Sequence, residues 1–253
     1  MRGRMKSRHF INSIDRVFQI LETCSKGAGE KHIGDIAKAT GMATGTTHRY
    51  LYTLKELGYI QQDPESRKYQ ISMKVLELGF HFLKSLDLRK RVLPHMMKAT
   101  QALGVNSHCA ILDGFEVVYI ERVRGKSVVD LDIAAGYRLP AHCNSMGKML
   151  LSLQDQDVLR EKLKRVELAS LTPYTITEPK RLLAELAEIK RRGYAESDRE
   201  LNEGVYAVAA AVYRNGKPEG AVGLSLSSHL ARKRELRRRL IDEVKRIAEK
   251  ASF

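Results

Sequence analysis

The stretch that decides the fold is IGDIAKATGMATGTTHRYLYTLKELGYI, residues 33–60. Ile33, Ile36 and Ala37 recur at helical spacing, which predicts a short helix over 33–39. Gly41 turns the chain, and a second helix is expected over 44–57, ended by Gly58. A helix–turn–helix recognition unit needs a small residue in its first helix, a glycine at the turn and apolar contacts at fixed offsets in the second. Ala37, Gly41 and Met42 stand where that unit needs them. Thr47, Tyr50, Leu51 and Leu54 share the inward face of the second helix. Thr44, Thr46, His48, Arg49 and Tyr52 are left outward or along the flanks, where hydroxyls and a guanidinium suit phosphates and base edges. An ordinary helical hairpin with solvated polar positions would need neither the alanine nor the glycine.

Upstream, Ile14, Val17, Phe18 and Leu21 predict a helix over 12–23, and Gly27 and Gly29 break the chain after it. Downstream, residues 59–62 and 68–71 read as two short strands joined by the Asp63-Pro64-Glu65-Ser66 turn. That hairpin is expected to be a wing, with Arg67 and Lys68 placed for backbone or minor-groove contact.

From residue 73 the pattern changes to mixed helix and strand. A connecting helix is expected over 73–86 and another over 89–103. Strands follow near 107–112, 116–122 and 128–134, then helices at 145–153, 155–165 and 178–192. Two more strands, 205–213 and 219–227, are joined by Asn215-Gly216, a strong hairpin signal. A basic amphipathic helix over 231–250 ends the chain. The expected organisation is a winged helix–turn–helix over 1–72, a linker helix over 73–86 and an effector-binding and oligomerisation domain over 87–253. Val75, Leu76, Leu78, Phe80 and Phe82 make the linker too apolar for a solitary exposed helix, which points to packing against a second copy or within the chain.

Bulk properties agree. The 253 residues are enough for two domains, and the net charge of +14 favours polyanionic partners. Residues 1–74 hold 13 Lys and Arg against 7 Asp and Glu, so the excess is denser at the N-terminal end. No run of about 18 apolar residues exists, so no membrane span is expected. Three cysteines, at 24, 109 and 143, form no CxxC pair. A reducing cytoplasm is the expected setting. The His108-Cys109 and His142-Cys143 pairs lack metal-ligand spacing, so no metal and no cofactor is expected. No phosphate loop or elbow serine is present, which argues against an enzyme.

With these residues in view, the sequence resembles the IclR family of transcriptional regulators over about residues 10–250. The match is carried by residues 33–60 and by the Leu76-Glu77-Leu78-Gly79 entry to the linker. GYRLPAHCNSMGK (136–148), LTPYTIT (171–177), RGYA (192–195), NEGV (202–205) and VGLSLSS (222–228) carry it further. One departure is Thr47, where the family usually has valine; a buried hydroxyl there needs a partner, such as a carbonyl one turn back.

The resemblance implies an α+β protein: a winged helix–turn–helix, a linker helix and a GAF-like α/β effector domain. It implies a homodimer or tetramer on double-stranded operator DNA, repressing carbon-catabolism genes under control of a small organic or aromatic acid. The competing reading is a constitutive DNA-binding protein whose C-terminal domain only oligomerises. By resemblance, effector contacts fall at Leu131, Leu139, Ser145, Met146, Asp198, Val205, Ala207, Ser225 and Ser227.

Physical reading of the same segments adds roles. Asn144 or Ser145 is expected to cap a helix whose free N–H groups attract a carboxylate. Gly223, Ser225 and Ser227 share one strand face, and their two hydroxyls can ligate acid oxygens. Asp198 is expected to accept from a ligand hydroxyl.

Overall fold

The structure, a computed structural model, describes residues 8–26, 29–126 and 133–253. The chain separates into two compact units, Met1–Ser85 and Leu86–Phe253.

In the first unit, helices α1 (Asn12–Ser25), α2 (Ile33–Thr40) and α3 (Thr44–Glu56) precede a two-stranded antiparallel sheet of β1 (Ile60–Gln62) and β2 (Tyr69–Ile71). Gly41 ends α2 at φ 65°, and its N–H reaches the carbonyls of Ala37 and Lys38. Left-handed backbone of this kind is costly for residues with a Cβ and cheap for glycine. Ile20, Cys24, Ile36, Leu51, Leu54, Ile60 and Tyr69 form the core, so α1, α2, α3 and both strands contribute to it. Thr47 is fully buried, and its Oγ1 donates to the Ala43 carbonyl at 3.1 Å, one turn back as expected. Lys31 exchanges backbone hydrogen bonds with Tyr69 and adds an isolated bridge to the edge of the wing sheet.

Helix α4 (Lys74–Ser85) has no buried residue. At 3.6 residues per turn its apolar side chains fall in two stripes, Leu76 with Phe80 and Leu83, and Val75 with Leu78 and Phe82. Leu76, Leu78, Phe80 and Phe82 are all more than half exposed.

The second unit opens with α5 (Asp87–Leu103) and the hairpin β3 (Asn106–Asp113) and β4 (Glu116–Val123). Next come β5 (Arg138–Pro140), a 3₁₀ turn at Ala141–Cys143, and helices α6 (Ser145–Ser152), α7 (Gln156–Leu163) and α8 (Pro179–Arg192). Strands β6 (Ala195–Asp198), β7 (Val205–Arg214) and β8 (Lys217–Ser227) lead to α9 (Arg234–Ala251). The six strands form one antiparallel sheet in the order β5-β4-β3-β8-β7-β6. Helix α5 packs with α9 against the sheet, and α6 packs with α8. Met146 of α6 lies over Gly223, while Leu88 of α5 lies over Gly220. Residues 220 and 223 point to opposite faces of a strand, so the two helix pairs cover opposite faces.

Several sequence expectations change. The strand expected over 128–134 falls mostly on residues 127–132, outside the described residues; Ile133 and Ala134 are not in a strand. Strands β5 and β6 were not expected; at three and four residues they are too short to show a period. The final helix starts at Arg234, after a separate 3₁₀ turn at Leu230–Arg232. Among the described residues, no helix is long and apolar enough to cross a membrane, and no group of three or more His, Cys, Asp or Glu side chains could hold a metal ion.

Candidate functional site

The first candidate surface lies on the N-terminal unit. Burial of Thr47, Leu51 and Leu54 leaves the opposite arc of α3 open. Thr44, His48, Arg49 and Tyr52 are exposed on that arc, and Thr46 is half-buried at its edge. No side chain caps α3, so its leading N–H groups have no partner of that kind and suit a phosphate. At the wing, Asp63 Oδ1 accepts from the Glu65 and Ser66 N–H groups, closing the turn. These bonds hold the Asp63 carboxyl below the usual aspartate range. Arg67 follows with φ 58° and an exposed side chain. Lys68 is half-buried, with Nζ 3.9 Å from Glu30, so part of its charge is already answered.

The second candidate is a cavity in the C-terminal unit, between the sheet and the start of α6. The atom-free space, counted out to its mouth, is about 520 Å³, but the centre of a water molecule can range over only about 40 Å³ of it. The space is therefore narrow, with room for a few water molecules, and a small acid enters it only as the walls move apart.

Strand register builds its wall row by row. In one row Arg122, His108, Gly223 and Ala209 stand opposite one another on β4, β3, β8 and β7. In the next row Asn106, Ser225, Ala207 and Ser197 do the same on β3, β8, β7 and β6. Gly223 leaves room for Met146; a Cβ there would lie 3.1 Å from Met146 Cγ. Tyr119 joins Arg122 on this wall because the register of β3 and β4 slips between Cys109 and Ala110. A bulge of this kind puts residues three apart on the same face.

The roof is the start of α6. Asn144 is its cap: Oδ1 accepts from the N–H of Met146 at 2.9 Å and of Gly147 at 3.3 Å. Its Nδ2 donates to the Tyr119 hydroxyl at 2.9 Å. Gly147 is required for this seat, because a Cβ would stand 2.3 Å from the Ala141 carbonyl oxygen. Lys148 is buried with Nζ 2.5 Å from Glu200 and 3.8 Å from Glu185, so its charge is neutralised internally.

Among the described residues around the cavity, Arg122 is the one charged side chain. One of its guanidinium N–H groups donates to the Ile133 carbonyl at 2.8 Å. His108 is buried, with Nε2 2.9 Å from Ser225 Oγ and its ring edge-on to Tyr119 at 5.6 Å. Burial, aided by the Arg122 charge, lowers its pKa to about 3, so the ring is neutral at neutral pH. Burial likewise pushes the Tyr119 phenol up to about 12.

Of the residues expected to contact an effector, Ser145, Met146, Val205, Ala207 and Ser225 line this cavity. Leu131 lies outside the described residues. Leu139 does not line the cavity; it pairs with Val117 and packs on the core beneath α6. Asp198 does not line it either: its carboxylate is 3.2 Å from Arg199 and 3.6 Å from Arg237. Ser227 sits at the end of β8 opposite Val205, beyond the cavity wall. The expected carboxylate seat on α6 also changes, because the Asn144 side chain already occupies two of the N–H groups. Asn106, His108, Tyr119, Arg122 and Ser197 were missed; an alternation count on 106–110 alone would have put Asn106 and His108 on one face.

With both sites in view, comparison with known proteins is informative. Residues 13–64 match the IclR helix-turn-helix domain, and residues 80–253 match the family described as bacterial transcriptional regulator IclR C-terminal. The chain is 35% identical over 222 residues to the HTH-type transcriptional regulator XynR of Escherichia coli K12, covering 88% of each. It is 30% identical over 224 residues to the Pca regulon regulatory protein of Pseudomonas putida, covering 88% of this chain and 76% of that one. A solved transcriptional regulator of Rhodococcus sp. RHA1 superposes with a TM-score of 0.83 at 30% identity, covering 96% of this chain and 97% of that one.

Proposed function

The chain belongs to the IclR family of bacterial transcriptional regulators, and from that premise we propose that it represses carbon-catabolism genes and changes its hold on operator DNA when a small carboxylate enters the cavity of the C-terminal unit. It is a DNA-binding regulator rather than an enzyme. The exposed arc of α3 reads the major groove, with Arg49 at a base edge and Thr44, Thr46, His48 and Tyr52 on bases or phosphates. Arg67 and Lys68 of the wing meet the backbone.

The observation that carries the acid reading is the lining of the cavity. Its one formal charge among the described residues is the positive Arg122, and the same lining carries the Ser145 and Ser225 hydroxyls. A guanidinium and two hydroxyls suit a carboxylate, and Met146, Val205 and Ala207 give the rest of the molecule an apolar wall. One of the relatives is itself named for regulating the Pca regulon. The two apolar stripes of α4 favour a homodimer, since a lone helix does not leave both uncovered in water.

A thermal-shift screen of organic and aromatic acids, repeated with DNA from upstream of the gene, tests this reading. Carboxylates should raise the melting temperature of the wild-type chain, and Arg122→Gln should abolish the shift. Stabilisation by cationic or neutral compounds alone would overturn it.

A further inference from the structure

We propose that His108 selects the effector by hydrogen-bonding, through Nδ1, a hydroxyl carried by the same small molecule whose carboxylate meets Arg122. This rests on the acid reading of the cavity given above, and it moves the hydroxyl-reading role from Asp198 to a residue of a different strand.

His108 lines the cavity and is 7% exposed. Its Nε2 is engaged with Ser225 Oγ, while its Nδ1 is buried and has no hydrogen-bond partner among the described residues. A buried polar atom left without a partner is costly, and each one in a native structure calls for an explanation, which a bound ligand would supply here. The ring is held on two sides, by Ser225 at 2.9 Å and by the edge-on Tyr119 ring. The direction of Nδ1 is therefore fixed before anything binds. In register, His108 stands directly opposite Arg122, so one small molecule can reach both.

The protonation state narrows the partner. The ring is neutral, so Nδ1 is a donor in one tautomer and an acceptor in the other, and Ser225 Oγ can complement either. A hydroxyl satisfies both cases. An ammonium group is disfavoured beside the Arg122 charge, and a second carboxylate can only accept. The occupant that matches the pair is a hydroxy-carboxylate, with its hydroxyl within a few atoms of the acid.

Calorimetry on the full chain with matched probes tests this. Salicylate, 3-hydroxybenzoate and 4-hydroxybenzoate are compared with benzoate, and lactate with propionate. At least one hydroxy acid should bind the wild-type chain about tenfold or more tightly than its deoxy partner. That ratio needs no substitution. Two variants then assign it. His108→Gln places an amide where Nε2 lies and removes the group at Nδ1; His108→Asn does the reverse. The hydroxyl preference should survive in His108→Asn and fall to within about twofold of unity in His108→Gln. Equal binding of hydroxy and deoxy acids, or a preference that survives in His108→Gln, overturns the assignment while leaving the acid reading intact. Failure of every acid to bind the wild type removes the acid reading, and this inference with it.

Discussion

Replacing Asn144 with alanine breaks three hydrogen bonds at once, and the structure sets the size of the loss. Asn144 is 4% exposed, caps α6 through two N–H groups and donates to the Tyr119 hydroxyl. Loss of a capping side chain costs about 0.5–2 kcal/mol. Leaving a buried phenol without its donor costs about 1–3 kcal/mol when no water replaces it. Together these come to roughly 1.5–5 kcal/mol, or about 3–20 °C in the melting of the C-terminal unit at roughly 2–4 °C per kcal/mol. Asn144→Ser separates the terms, since serine can cap but is too short to reach Tyr119, and about half the loss should return. The assay is differential scanning calorimetry, followed by acid titration of whatever remains folded. A loss below about 0.5 kcal/mol in Asn144→Ala would refute the claim that this side chain ties α6 to the cavity wall.

On DNA, Arg49→Ala should weaken specific operator binding by about 1–3 kcal/mol, measured by footprinting. Arg67→Gly should lower affinity for all sequences alike and reduce the salt slope by about one, glycine keeping the backbone at φ 58° unstrained. Thr47→Val should change stability in urea by less than about 1 kcal/mol, because it removes the hydroxyl and keeps the shape, whereas Thr47→Ala should cost more. His108 is ordinarily near 6.5 and lies near 3 in the fold, so between those values the unfolded chain binds more protons. Stability should thus fall as pH drops below about 6.5, by up to about 1.4 kcal/mol per pH unit, and His108→Gln should flatten that dependence in acid titrations. Leu76→Lys with Phe80→Lys should convert the proposed dimer to a monomer in light scattering at micromolar concentration.

The recognition unit was legible because its constraints are local: Ala37, Gly41 and the inward Thr47, Leu51 and Leu54 sit at fixed offsets within one stretch. The partner of the Thr47 hydroxyl could be named in advance because it lies one turn back on the same helix. The cavity was only half legible, for three reasons. Ser145, Met146 and Ser225 stand in distinctive segments, but Arg122 and Tyr119 come to one face through a bulge that a period-2 count cannot foresee. The side chain of Asn144 reaches two N–H groups of α6, so that helix end offers a carboxylate less than free N–H groups would. Asp198, an acidic residue next to a family motif, is drawn off by Arg199 and by Arg237 of α9, far along the chain. Long-range charge pairing of that kind leaves no local pattern.

The most direct test of the central claim is fluorescence anisotropy of an operator duplex, cut from DNA upstream of the gene, titrated with the chain in the presence and absence of each acid. A ligand-responsive regulator predicts that at least one acid shifts the operator dissociation constant about fivefold or more. Arg122→Gln should bind the same duplex normally and ignore that acid. A chain that holds the operator with one affinity whatever acid is present, or binds every duplex alike, would contradict the account and leave a constitutive DNA-binding protein in its place.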